Sequence, residues 1–224
     1  MSLLRRLAAV LAGLGALALA GAARAEQEFA PPQGQGPLVV MVSGMSGPAH
    51  YAPVAREIAA MGYDVVLFDG NDMEGSHGAA LKAAILKAQQ APHALPGKTA
   101  VVGFSLGGGV SLAYASHWPD IVRGVVVWYP ATTFVMDARR FVAFVQVPVL
   151  MLAGESDSFR NCCTIATARA LGAAAAEQGK PLDLVTYPGV DHDFVPGGLH
   201  PDAKAYADGM RRTGERLKTL FAQP

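Results

Sequence analysis

Ser105 stands in the run Gly103-Phe104-Ser105-Leu106-Gly107-Gly108-Gly109, a G-x-S-x-G pattern placed between an apolar run and a helical one. Glycines two positions to either side leave room for a sharp strand-to-helix turn that would crowd a Cβ, and such a turn lifts the hydroxyl above a sheet. A serine hydroxyl attacks a carbonyl when a base removes its proton, and an imidazole base needs a carboxylate to fix its tautomer. Both partners follow in the order Ser, acid, His. Of the six histidines, only His192 follows the final predicted strand by a short loop, in Tyr187-Pro188-Gly189-Val190-Asp191-His192-Asp193-Phe194. Its neighbours Asp191 and Asp193 are too close in the chain to hold its ring and read as solvated or loop-capping. The acid lies in Ala153-Gly154-Glu155-Ser156-Asp157, where Asp157 and Glu155 compete. Asp157 is preferred, because three residues past Gly154 give the loop room to bend toward His192.

Charge that develops on the attacked carbonyl needs two backbone N–H donors. Leu106, directly after the serine, is one. The other is expected from the loop Ser43-Gly44-Met45-Ser46-Gly47, at Met45. This chemistry needs no metal or organic cofactor, and no His/Cys/Asp group stands at metal-ligand spacing. Trp128, Tyr129 and Phe194 follow strand ends and are candidate linings of an apolar substrate pocket. Asp69, Asn71, Asp72 and Glu74 read as a solvated polar loop after the second strand.

The elements that must position these residues alternate. Apolar runs at 38–42, 64–68, 99–102, 124–128, 147–152 and 183–186 read as strands. Helical patterns at 51–61, 78–90, 106–117, 164–178 and 202–221 separate most of them. Short apolar strands alternating with longer helices predict an α/β fold, a doubly wound, mostly parallel sheet covered on both faces. Ligands bind beyond the carboxyl ends of such strands, where all the residues above are found. The connection from 129 to 146 is too short for a large lid domain, so an open site and short or medium acyl chains are expected.

Across 224 residues, 51% are hydrophobic and 16% charged, with 18 basic against 18 acidic residues, which excludes a disordered chain and a basic nucleic-acid-binding one. One globular domain over 38–224 is expected, after a Pro/Gly/Gln-rich leader at 26–37. Residues 1–25 carry Arg5 and Arg6, an apolar stretch and Ala23-Arg24-Ala25, which read as a cleaved secretory signal. Its removal leaves a net charge of about −3 by count and a periplasmic or secreted protein without stable membrane insertion. The two cysteines, Cys162 and Cys163, are adjacent. Neighbouring Cα atoms are about 3.8 Å apart, short of the usual disulfide span, so packed thiols at a helix start are expected ahead of a vicinal or intermolecular bridge.

With these motifs in place, the chain from about 38 to 221 resembles the α/β-hydrolase fold, and within it the dienelactone hydrolase-like family. The resemblance rests on Gly103-Phe104-Ser105-Leu106-Gly107-Gly108, on Gly154-Glu155-Ser156-Asp157 followed shortly by a cysteine, and on the run from Tyr187 to Phe194. Two positions depart from the pattern. Dienelactone hydrolases proper carry a cysteine nucleophile where this chain has Ser105, and a glutamate before the oxyanion residue where it has Gly44. The resemblance implies a serine-nucleophile hydrolase of small esters or lactones. Acyl transfer, thioester, peptide or polyester cleavage would use the same residues, and a non-catalytic periplasmic binding protein would use only the fold. The oligomeric state is left open.

Overall fold

The structure, a computed structural model, describes residues 26–222. The expected export signal at 1–25 lies outside the described residues. Seven strands form one sheet: β1 (Gln27–Phe29), β2 (Gly36–Val42), β3 (Asp64–Phe68), β4 (Ala94–Phe104), β5 (Val122–Trp128), β6 (Val149–Gly154) and β7 (Leu182–Tyr187). Their spatial order is β1-β3-β2-β4-β5-β6-β7, with every neighbouring pair parallel except β1 and β3. The helices are α1 (Pro48–Ala60), α2 (Ala79–Ala88), α3 (Ser105–Ala113), α4 (Ala138–Ala143), α5 (Ile165–Gln178) and α6 (Ala203–Ala222). The doubly wound α/β fold expected from the sequence is the one observed, without a large lid.

The alternation of side chains along a strand explains the two covered faces. In β2, Leu38, Val40 and Val42 join a buried layer with Leu81 and Ile85 of α2 and Leu171 of α5. The intervening Val39 and Met41 join a second layer with Val54 and Ile58 of α1 and Leu217 and Leu220 of α6. Because both faces are buried, the strands read as continuous apolar runs. Strand order reverses between β2 and β4, the two central strands from which the chain departs in opposite directions. The crevice beyond their carboxyl ends is where such a sheet binds ligands.

Three elements differ from the sequence reading. The leader is part of the sheet: Gln27–Phe29 pair antiparallel with Val65–Leu67, a three-residue strand too short to show periodicity. β4 begins at Ala94 rather than 99, through an exposed stretch, Leu95 to Lys98, that carries no apolar signal. α4 is unforeseen, since its six residues bury only Val142; Asp137 caps it by accepting the Arg140 N–H at 3.0 Å. Among the described residues no helix is long and apolar enough to cross a membrane.

The cysteines also differ. Cys162 and Cys163 are joined as a vicinal disulfide, with Cα atoms 3.8 Å apart. The separation across one peptide fixes the Cα distance but not the side-chain directions, and here the two sulfurs meet. Arg160 and Asn161, at φ 48° and 55°, turn the chain immediately before the pair.

Candidate active site

Phe104 ends β4 in an extended conformation and Ser105 opens α3 at φ 48°, a left-handed backbone that holds the side chain out of the sheet. Only glycine fits beside it. A Cβ on Gly103 would lie 2.5 Å from the Gly107 carbonyl oxygen, and one on Gly107 would lie 2.4 Å from that of Ser43. Across the sheet, a Cβ on Gly70 would meet the same Ser43 oxygen at 2.1 Å.

The Ser105 Oγ lies 2.9 Å from His192 Nε2, and His192 Nδ1 lies 2.7 Å from Asp157 Oδ2. All three side chains are buried, so the pairing acts where water screens it little. The loops that carry them are fixed locally. The Phe159 N–H donates to Asp157 Oδ1 at 3.2 Å, while Asp191 accepts the N–H of His192 at 2.7 Å and of Ser158 at 3.3 Å. Asp191 therefore ties the acid loop to the histidine loop, in the capping role expected of it. The imidazole is held between two rings: Phe159 stacks on it at 4.7 Å and 6°, and Tyr129 meets it edge-on at 4.9 Å. Glu155 is engaged elsewhere. It accepts from the Thr186 hydroxyl at 2.7 Å and pairs with Arg169 at 2.8 Å, and these partners lower its pKa. Geometry thus selects Asp157 over Glu155.

The Leu106 N–H lies in the first turn of α3, where a helix offers its donors no internal acceptor. On the facing loop, a Cβ on Gly44 would stand 3.1 Å from Ser105 Cβ and 2.5 Å from the Tyr51 hydroxyl. The backbone of Gly44 thus packs on the nucleophile, with Met45 next in the chain. The Tyr51 hydroxyl fills the space that a side chain at position 44 would need. The loop is anchored from β3: the Ser43 N–H donates to the Phe68 carbonyl at 3.0 Å, and Asn71 Nδ2 donates to the Met45 carbonyl at 3.3 Å. Asp69, expected in a solvated loop, is instead buried and accepts both the backbone N–H and the Nδ2 of Asn71. Asp72 and Glu74 are exposed.

Of the two roles expected for Asp193, solvated or loop-capping, the structure has the second, with the side chain buried. It accepts from the Tyr129 hydroxyl at 3.1 Å and from the Leu199 N–H at 3.1 Å, and His50 Nε2 lies 3.2 Å away. Tyr129 is in turn hydrogen-bonded to Tyr51, which also bonds the backbone of Gly44. Burial, reinforced by the Asp193 charge, raises the pKa of both phenols and keeps them neutral. A chain of polar contacts therefore links the histidine loop to the oxyanion loop beneath the nucleophile. Sequence offered one signal for it, the Asp-His-Asp run.

The expected pocket residues are misplaced. Trp128, Tyr129 and Phe194 are 0–1% exposed and pack with one another in the layer covered by α1 and α6. Alternation along β5 places Trp128 on the same face as Val126, inside the core. An apolar cavity instead reaches Leu106, the residue after Ser105. It measures about 450 Å³ and is lined by Leu106, Val110, Tyr114, Ala131, Phe134 and Phe141, among others. The Ala131 N–H donates to the Ser105 carbonyl at 2.9 Å, which joins its wall to the elbow. Met45, Ser46, Gly47, Asp69 and Asn71 line a more polar groove of about 410 Å³. Cys163 Sγ lies within 4.8 Å of ligand atoms of Asp157 and His192, but it is bonded to Cys162, and those two residues hold each other.

A doubly wound, mostly parallel sheet with a Ser–His–Asp set at its carboxyl edge is the arrangement of an α/β hydrolase. The family follows: residues 68–221 match the Dienelactone hydrolase family, and the chain belongs to it. Among sequence relatives, the protein usf of Aquifex pyrophilus is 27% identical over 119 residues, 52% of this chain and 48% of that protein. The chain thus spans about half the length of the relative it matches. Among solved structures, a putative dienelactone hydrolase from Klebsiella pneumoniae subsp. pneumoniae MGH 78578 superposes with a TM-score of 0.70 at 20% identity, covering 89% of this chain and 99% of that one. The dienelactone hydrolase-like promiscuous phosphotriesterase P91, from metagenomic libraries, gives 0.69 at 19% identity, covering 84% and 88%.

Proposed function

We propose that this hydrolase cleaves carboxylic ester or lactone bonds of small molecules through Ser105, His192 and Asp157. The continuous hydrogen-bonded line from Ser105 Oγ to His192 to Asp157, at 2.9 and 2.7 Å, carries the reading. His192 Nε2 takes the hydroxyl proton as Oγ attacks the ester carbon, and Asp157 stabilises the imidazolium. The carbonyl electrons move onto oxygen, which the N–H groups of Met45 and Leu106 receive. Collapse breaks the bond to the alcohol, which leaves with the proton from His192. Water then adds to the acyl-enzyme, its proton passing to His192, and releases the acid while Ser105 regains its proton.

The cavity beside Leu106 is of a size and apolarity suited to a short or medium acyl chain. The exported location read from the N-terminal residues belongs to the same proposal: a periplasmic or secreted enzyme, acting without nucleic acid or a membrane anchor.

Hydrolysis of p-nitrophenyl esters from acetate to palmitate, run beside Ser105→Ala, tests it. Turnover should peak at a short or medium chain and fall by about 10⁴-fold or more in the variant. Full activity in Ser105→Ala, or no turnover of any ester by the natural chain, would overturn it. Since P91 is described as a promiscuous phosphotriesterase, an organophosphate ester is a suitable covalent probe, expected to label Ser105. Amino-terminal sequencing of the protein recovered from the cell envelope, expected to begin at Glu26, tests export; an intact Met1 would refute cleavage.

A further inference from the structure

At the amino-terminal end of the sheet, away from Ser105, three ionisable side chains converge from distant parts of the chain. Glu28 lies on edge strand β1, Asp64 opens β3, and His93 immediately precedes β4. Their potential ligand atoms all lie within 4.8 Å of one another, and His93 Nδ1 is 2.7 Å from Glu28 Oε1. His93 is also fixed through its backbone, its carbonyl accepting the Gly36 N–H at 2.9 Å.

Asp64 sets this group apart from an ordinary surface cluster. It is 0% exposed and neither carboxylate oxygen receives an N–H or a hydroxyl, while burial, then the neighbouring Glu28 carboxylate, pushes its pKa up to about 6. Burying a carboxylate costs several kcal/mol unless something compensates its charge. The side chains of Glu28 and His93 are partly exposed, 28% and 45%, so an ion has a path to the buried carboxylate from solvent. Two carboxyl groups and an imidazole thus face one point.

We propose that Glu28, Asp64 and His93 form a site for a divalent cation of the zinc type, which fastens edge strand β1 to the sheet. One nitrogen and two oxygen donors suit zinc, with water as the fourth ligand, whereas calcium and magnesium take six or more oxygens. Donors about 2.0–2.2 Å from a tetrahedral ion stand roughly 3.4 Å apart, within reach of the observed cluster by small side-chain rotations. The site lies at the opposite end of the strands from the catalytic edge, and its proposal is independent of the ester-cleaving reading.

The test uses the full chain, stripped of metal and titrated with Zn²⁺ alone, followed by calorimetry and thermal unfolding. The natural sequence should take up one ion at this site, and at zinc 100-fold above Kd its Tm should rise by roughly 5–10 °C. Asp64→Asn and His93→Gln should each weaken uptake about tenfold or more and abolish the Tm shift, with ester turnover unchanged. Glu28→Gln, at an exposed position, should weaken uptake in the same direction. Failure of the natural chain to bind Zn²⁺, or undiminished binding by the three variants, would overturn the site.

Discussion

Replacing Asp157 by asparagine keeps the shape of the side chain and changes only its donors, so its effect follows from the contacts around it. One oxygen of Asp157 accepts the Phe159 N–H at 3.2 Å, and the other faces His192 Nδ1 at 2.7 Å. An asparagine must keep its carbonyl toward Phe159 to satisfy that buried donor, which turns its NH₂ toward Nδ1. His192 then accepts at Nδ1 and carries its proton on Nε2, the nitrogen 2.9 Å from Ser105 Oγ. The base loses the lone pair that should take the serine proton, and the imidazolium loses its counter-charge. The expected drop in kcat/KM on p-nitrophenyl butyrate is about 10⁴-fold, which is about 5.4 kcal/mol of transition-state stabilisation. The fold should be unaffected, as judged by circular dichroism and an unchanged urea midpoint. Glu155→Gln is the control. Its carboxylate is held by Thr186 and Arg169, so kcat/KM should stay within about twofold. A loss below tenfold in Asp157→Asn, or an equal loss in Glu155→Gln, would refute the assignment of the acid.

Tyr129→Phe removes a buried donor to Asp193, and urea unfolding should show a loss of about 1.5–3 kcal/mol. A loss below about 0.5 kcal/mol would mean that the polar chain under the nucleophile adds nothing to stability. Ala113→Leu inserts bulk into the cavity wall, and should lower kcat/KM for octanoate relative to acetate by about fourfold per excluded methylene. An unchanged ratio would show that the acyl chain lies elsewhere, in the groove beside Met45.

The candidate set of Ser105, Asp157 and His192 was legible because each member carries a local signal. Ser105 follows an apolar run and precedes a helix, and Asp157 and His192 stand just past the two last strands, where such folds keep their chemistry. The parallel sheet was legible for a similar reason, since strands buried on both faces leave continuous runs such as Leu38–Val42. What escaped depends on contacts between distant segments. The cavity wall draws on Met73, Tyr114, Ala131 and Phe141, which share no spacing, and the aromatic residues named in their place were core. β1 and α4 were too short to build a period. Asp69 and Asp193 look like surface carboxylates in the sequence, and only the fold reveals that each braces a loop of the site from inside.

The crowding around the Ser43 carbonyl has a bearing on how this enzyme could be changed. Gly70 and Gly107 close on that oxygen from two sides, so near that a methyl group on either would collide with it. Any side chain at 70 or 107 would displace the turn that leads from Ser43 to Met45. The wall made by Ala113, Phe134 and Phe141 has no such restriction, since Ala113 and Phe141 are half-buried, Phe134 is exposed, and all three border open space. A mutagenesis library seeking new substrates should hold the two glycines fixed and randomise that wall. If that wall receives the acyl chain, substrate range and the packing around Ser43 rest on different residues, so one can drift while the other stays constant.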